Sequence, residues 1–210
     1  MRRIFLISIA GFLSLTACSD TKQPSDANFT KAINQYLTKH GQACTVIGRQ
    51  FPVDVSVSEQ KLQSGAAIQM TALELAGLVR SSDTTAVVHG MMGALSGSTP
   101  PQPVKRYDLT AEGKKYFHQT PDIFGQTGSF CYGQKTVDSI VKWTEPMTMG
   151  ASSQTEVTYT YKIVAPANWA ANPDVQRVFS DVRSTVTGAS KTTEVAGLQL
   201  TSKGWEVPAQ

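Results

Sequence analysis

The chain has 210 residues, 40% of them hydrophobic and 17% charged, with 19 Lys and Arg against 16 Asp and Glu for a formal net charge of +3. That length and apolar content suit one medium domain or two small ones fused tightly. Two of the basic residues, Arg2 and Arg3, stand at the extreme N-terminus, so the remaining chain is close to neutral and has no electrostatic footprint for nucleic acid or anionic lipid.

Arg2 and Arg3 precede an apolar run over residues 4–13 that is too short for a stable membrane span, and small residues follow up to Cys18. This is the three-part layout of a cleaved secretory signal. Its end, Leu15-Thr16-Ala17-Cys18, resembles the lipobox of bacterial lipoproteins. The resemblance implies cleavage before Cys18 and lipid on that cysteine. Each buried CH₂ contributes about 0.8 kcal/mol, so several acyl chains make an effectively permanent anchor. The next residue is Ser19, not the aspartate that lipoprotein sorting reads as an inner-membrane retention signal, so the resemblance implies the periplasmic face of the outer membrane. The alternative is an ordinary signal peptide with a chance cysteine.

Residues 18–27 are polar and are expected to form a flexible tether, with Ser25 or Asp26 available to cap a helix. Phe29, Ile33, Tyr36 and Leu37 recur at helical spacing, and Gly41 ends the segment. Val53, Val55 and Val57 alternate with polar residues, as in a strand. Two helices are predicted over 58–63 and 66–79, then extended segments over 85–89 and 104–109 around a Gly/Ser/Pro-rich loop. Another helix is predicted over 109–117, with Thr110 as its cap.

This succession, with its Ala76-Gly77-Leu78-Val79 ending and its Tyr107-Asp108-Leu109-Thr110 entry, resembles a winged-helix unit over roughly residues 58–118. Winged-helix units commonly read DNA. Here the second helix contains no basic residue and carries Glu74, the wing offers only Lys105-Arg106, and export removes the chain from DNA. Nucleic acid is therefore not expected as a partner.

The C-terminal half reads as β-rich. Residues 130–132 and 136–143 are extended, and Val157, Tyr159, Tyr161 and Ile163 alternate with polar residues as in a strand with one buried face. A short helix is predicted over 174–182, and a terminal strand pair over 198–207. The expected fold class is α+β: a winged-helix-like helical region over 28–120 packed against an antiparallel β-rich region over 121–210, the two forming one compact unit.

With Cys18 assigned to lipid, Cys44 and Cys131 remain as an even pair in an oxidising compartment. A bridge between them is expected, and the alternative of a reactive thiol lacks a nearby histidine or a CxxC partner.

No catalytic or metal-binding set assembles by motif. His40, His89 and His118 stand in no zinc-type spacing, and His40 and His118 read as helix-terminal groups. Ser58 and Ser139 open Ser-x-x-Lys matches, but the other elements of the penicillin-binding enzymes are missing. No cofactor is expected. Met91, Met92 and Leu95, flanked by glycines, are the expected partner contact, unless they complete the core. Trp143, Trp169 and Trp205 could line an aromatic wall, though such residues more often belong to the core.

The function expected is that of a membrane-anchored, non-enzymatic binding or scaffolding protein of the cell envelope, with an unidentified envelope protein as partner. The alternatives are an envelope hydrolase with a dispersed site, led by His89 or Ser139, and an inhibitor or immunity-type lipoprotein.

Overall fold

The computed structural model describes residues 20–63, 65–87, 100–122, 125–150 and 152–208; Cys18, His89, Met91, Met92 and Leu95 lie outside them. Helix α1 (Asp26–His40) begins where the Ser25 hydroxyl accepts from the Asn28 N–H, and ends where the Gly41 N–H reaches the Leu37 carbonyl. Its buried stripe is Phe29, Ala32, Ile33 and Leu37. Strands β1 (Gln42–Val46) and β2 (Val53–Ser56) follow. Ser56 and Glu59 form a reciprocal capping box that opens α2 (Val57–Leu62). Next come α3 (Ala66–Leu75), β3 (Val79–Ala86), β4 (Gln102–Leu109), the one-turn α4 (Gly113–Tyr116) and β5 (Phe117–Asp122). The long β6 (Gly125–Trp143), β7 (Met147–Met149) and β8 (Ser152–Val164) lead to a 3₁₀ turn at Asn168–Ala171. Helices α5 (Pro173–Val178) and α6 (Ser180–Gly188) precede the closing hairpin of β9 (Thr193–Thr201) and β10 (Gly204–Glu206).

The fold is α+β. Every strand pairing among the described residues is antiparallel. The larger sheet runs β1-β6-β8-β9-β10, with β5 beside β6 and β7 beside β8; the smaller sheet runs β2-β4-β3.

Two apolar cores hold these layers. In the first, α1 lies on the large sheet and buries Phe29, Ile33 and Leu37 against Val137, Val157, Tyr159, Tyr161, Leu198 and Trp205. Phe29 is fully buried, and Trp143 and Trp205 each meet it edge-on with ring centroids 5.3 Å away. Complete burial of such a side chain contributes about 1.5–3 kcal/mol. The Asn34 side chain also accepts from the Val137 N–H, which ties α1 to the β6 backbone. The second core joins the small sheet and α3 to β6, α5 and α6 through Val55, Met70, Leu73, Leu78, Phe130, Trp169 and Val175.

Cys44 and Cys131 face each other across the β1–β6 ladder and form a disulfide, with Cα atoms 3.9 Å apart. The bridge spans 87 residues of sequence.

Several elements depart from the sequence expectation. Helix α3 ends at Leu75, short of Val79, because Gly77 adopts φ +75°. The Leu78 N–H then reaches the Leu73 carbonyl and the Gly77 N–H reaches Glu74, a Schellman stop that turns Leu78 into the core. The helix expected over 109–117 shrinks to α4. Thr110 bonds by its N–H and its hydroxyl to the Leu78 carbonyl, and Phe117 enters β5 to pack on Phe51 and Phe130. His118 therefore stands on a strand, exposed, and not at a helix end. The extended segments over 130–132 and 136–143 belong to one strand, β6, and the predicted 174–182 helix is split at Phe179, whose φ of −102° and ψ of 91° leave the helical region.

The expected tether is also folded from residue 20 onward. The Asn28 side chain donates to the carbonyls of Asp20 and Gln23, and the Trp205 indole donates to the Lys22 carbonyl. The same indole is buried in the core, as is Trp169, so the three tryptophans do not make a wall.

Candidate functional site

The most developed concave surface lies where α1, the β8–β9 ladder and the chain after β10 converge. A cleft of about 720 Å³ is lined by Tyr36, Met147, Tyr159, Leu198, Val207 and Pro208, with Glu145 and Glu156 among its exposed polar residues. It adjoins a second cleft of about 590 Å³, which shares Tyr36, Gln199, Val207 and Pro208 and adds Lys39, His40 and Glu206. Together they form a groove whose lining carries three carboxylates, Glu145, Glu156 and Glu206, and one lysine, Lys39.

Local sequence explains the aromatic lining. Tyr36 and His40 are four residues apart on α1, which places them on one face. Their rings stack at 4.4 Å with 21° between planes. Tyr159 is one of the alternating β8 residues that face α1. Directly across the ladder stands Glu194, whose carboxylate accepts from the Tyr159 hydroxyl at 3.0 Å and pairs with Lys135 Nζ at 2.6 Å. Lys135 also sits over the Tyr161 ring, 4.2 Å from its centroid.

This network sets the protonation of its tyrosines. Burial pushes the Tyr159 hydroxyl above the ordinary tyrosine range, and the Glu194 carboxylate pushes it further. Burial is also the main reason why Tyr161 and Tyr132 are raised. Each phenol therefore stays neutral and a hydrogen-bond donor at neutral pH. The Tyr159 and Tyr161 hydroxyls are engaged within the protein, with Glu194 and the Thr185 carbonyl, so the groove itself offers a ligand the half-exposed Tyr36 and Val207, the exposed Met147 and the polar residues of its rim.

Cys44 and Cys131 come together in the disulfide. The partner contact expected at Met91, Met92 and Leu95, the suspect His89 and the lipidation residue Cys18 lie outside the described residues. The Ser139 hydroxyl meets the Thr160 hydroxyl at 2.8 Å on neighbouring strands, an arrangement with no base in it. His40 lines the groove at the end of α1, whereas His118 does not. Among the described residues, no three His, Cys, Asp or Glu side chains converge as metal ligands, and no helix is long and apolar enough to cross a membrane.

Sequence inspection missed Tyr36 with Tyr159 as a groove pair, and the Lys135–Glu194–Tyr159 network. The alternation of β8 was legible, but the partner strand carrying Glu194 was not. No protein-family model, curated protein or solved structure matches the chain.

Proposed function

We propose that the protein is a lipid-anchored binding protein of the bacterial cell envelope, held through Cys18 at the periplasmic face of the outer membrane, and that it recognises a protein partner in the groove between α1 and the β8–β9 ladder. One observation carries this: the groove exposes Tyr36, Met147 and Val207 above a buried floor of Tyr159 and Leu198, and polar residues, Glu145, Gln154 and Glu156 among them, rim it. Exposed apolar surface rimmed by polar residues marks sites of contact with a partner. The Leu15-Thr16-Ala17-Cys18 lipobox supports the anchor. The winged-helix-like succession over 58–118 serves as architecture in this reading, because α3 presents no cation to a phosphate.

A photo-crosslinking side chain placed at Met147 or Val207 of the lipidated protein in cells tests the proposal. The expected result is one dominant protein adduct from both groove positions and none from Lys61, which is exposed on α2. No adduct from either groove position, or the same adducts from all three, would overturn it.

A further inference from the structure

Strand β9 is bonded to β8 along residues 193–199, but its other side meets β10 only at residues 199–201. Pro208 lies just beyond β10, has no N–H and cannot extend that ladder. Among the described residues, no strand pairs with that side of residues 193–198, which leaves their alternate N–H and C=O groups without a ladder partner there.

Protein edges of this kind are normally guarded by an outward lysine, a proline or a bulge. Residues 193–198 have none of the three, and their one inward charge, Glu194, which can also guard an edge, stands at one end and is satisfied by Lys135 and Tyr159. Their register with β8 is continuous, and their sequence is Thr193-Glu194-Val195-Ala196-Gly197-Leu198. Val195 is 64% exposed. The same residues, from Val195 to Leu198, form one wall of the groove, facing a space also bounded by Tyr36, Met147 and Val207.

We infer that this edge accepts an extended peptide segment as an additional strand, with alternate apolar side chains entering the groove and a Lys or Arg meeting Glu145 or Glu156. The inference rests on the groove being the binding site and specifies what it binds. Main-chain bonds to residues 193–198 supply sequence-tolerant affinity, and the groove selects every second side chain. Charge decides between occupants. Neither Glu145 nor Glu156 has an ion-pair partner among the described residues. A second copy of this chain would bring its own edge, whose one charge is another carboxylate, so a basic peptide fits better.

The test uses the full lipidated chain in detergent micelles and a random nonapeptide library. Enriched peptides are expected to alternate apolar and polar residues and to carry a basic residue towards one end. N-methylation of alternate peptide amides is expected to weaken binding about tenfold or more, with the intervening amides tolerant, because each lost bond leaves a strand group unpaired. Val195→Lys, at an exposed position, is expected to weaken binding by a similar factor without lowering the melting temperature. If peptides bind, tolerate N-methylation everywhere and ignore Val195→Lys, yet are lost with a folded Tyr36→Ala variant, strand addition is wrong and the groove reading survives. If no peptide is enriched, or binding ignores both variants, both readings fall. Dimerisation that Val195→Lys abolishes would make a second copy the occupant and overturn the peptide assignment.

Discussion

Glu194 stands directly across the β8–β9 ladder from Tyr159 and accepts its phenolic hydrogen bond at 3.0 Å. The pair is buried on the tyrosine side and open to Lys135 on the other, so the carboxylate serves two donors at once.

Burial and Glu194 raise the Tyr159 ionisation, so the folded protein holds the phenolic proton more tightly than the unfolded chain does. The resulting stability is complete below the unfolded tyrosine value of about 10 and is lost as pH climbs above it. Urea unfolding is expected to give a stability that falls from about pH 10 upward, with a shallower fall in Tyr159→Phe. At neutral pH the same variant costs about 1 kcal/mol, the worth of one hydrogen bond. Equal alkaline slopes in the two proteins would remove Tyr159 from this role.

Reduction of the Cys44–Cys131 bridge is expected to destabilise the protein by roughly 4–5 kcal/mol, because the bridge closes a long loop in the unfolded chain. Denaturation midpoints with and without reductant measure it, and a Cys44→Ala/Cys131→Ala double variant should reproduce the reduced value. An unchanged midpoint would mean that the unfolded chain is already constrained there.

Phe29→Ala should cost about 3–5 kcal/mol, the range for deleting a fully buried aromatic ring. It also has an optical signature. Trp143 and Trp205 lose the ring that they meet edge-on, so tryptophan emission is expected to shift to the red in the folded variant. Unshifted emission would argue against the three-ring cluster.

Two glycines make a matched pair. A Cβ at Gly113 would stand 1.9 Å from the Leu78 carbonyl oxygen, whereas a Cβ at Gly197 meets nothing within 4 Å. Gly113→Ala is expected to lower stability by more than about 2 kcal/mol, since backbone must move, and Gly197→Ala to change it by less than about 0.5 kcal/mol. Thermal melts of both variants decide it, and similar values would refute the close approach of α4 to Leu78.

Cys18→Ser is expected to move the protein from the membrane fraction to the soluble periplasmic fraction. Quantitative retention in the membrane would sink the lipid anchor.

Local signals in the sequence were legible where one segment decides its own structure. Phe29, Ile33 and Leu37 announced α1 by spacing, its cap was narrowed to Ser25 or Asp26 and proves to be Ser25, and the alternation through Val157, Tyr159 and Tyr161 announced β8. The two cysteines announced their bridge by parity. What stayed hidden depends on distant partners. Residues 109–117 have a helical pattern, but the Leu78 carbonyl captures Thr110 and an aromatic cluster draws Phe117 into a strand. The groove was illegible for the same reason. Tyr36, Tyr159, Glu194 and Val207 are scattered through the sequence, and only the α1 packing and the order β8-β9-β10 bring them together.

The clasp of Trp205 on the Lys22 carbonyl, together with Asn28 on that of Asp20, sets a leash. Between Cys18 and the first held residue, Asp20, the chain can extend at most about 7 Å. On the proposed lipidation, the domain then rides on the bilayer instead of swinging from it. Its working radius is its own diameter, about 40 Å for a compact domain of this size. A partner must itself come to the membrane to be met, and lengthening the leash with an inserted flexible segment should extend that radius without touching the fold.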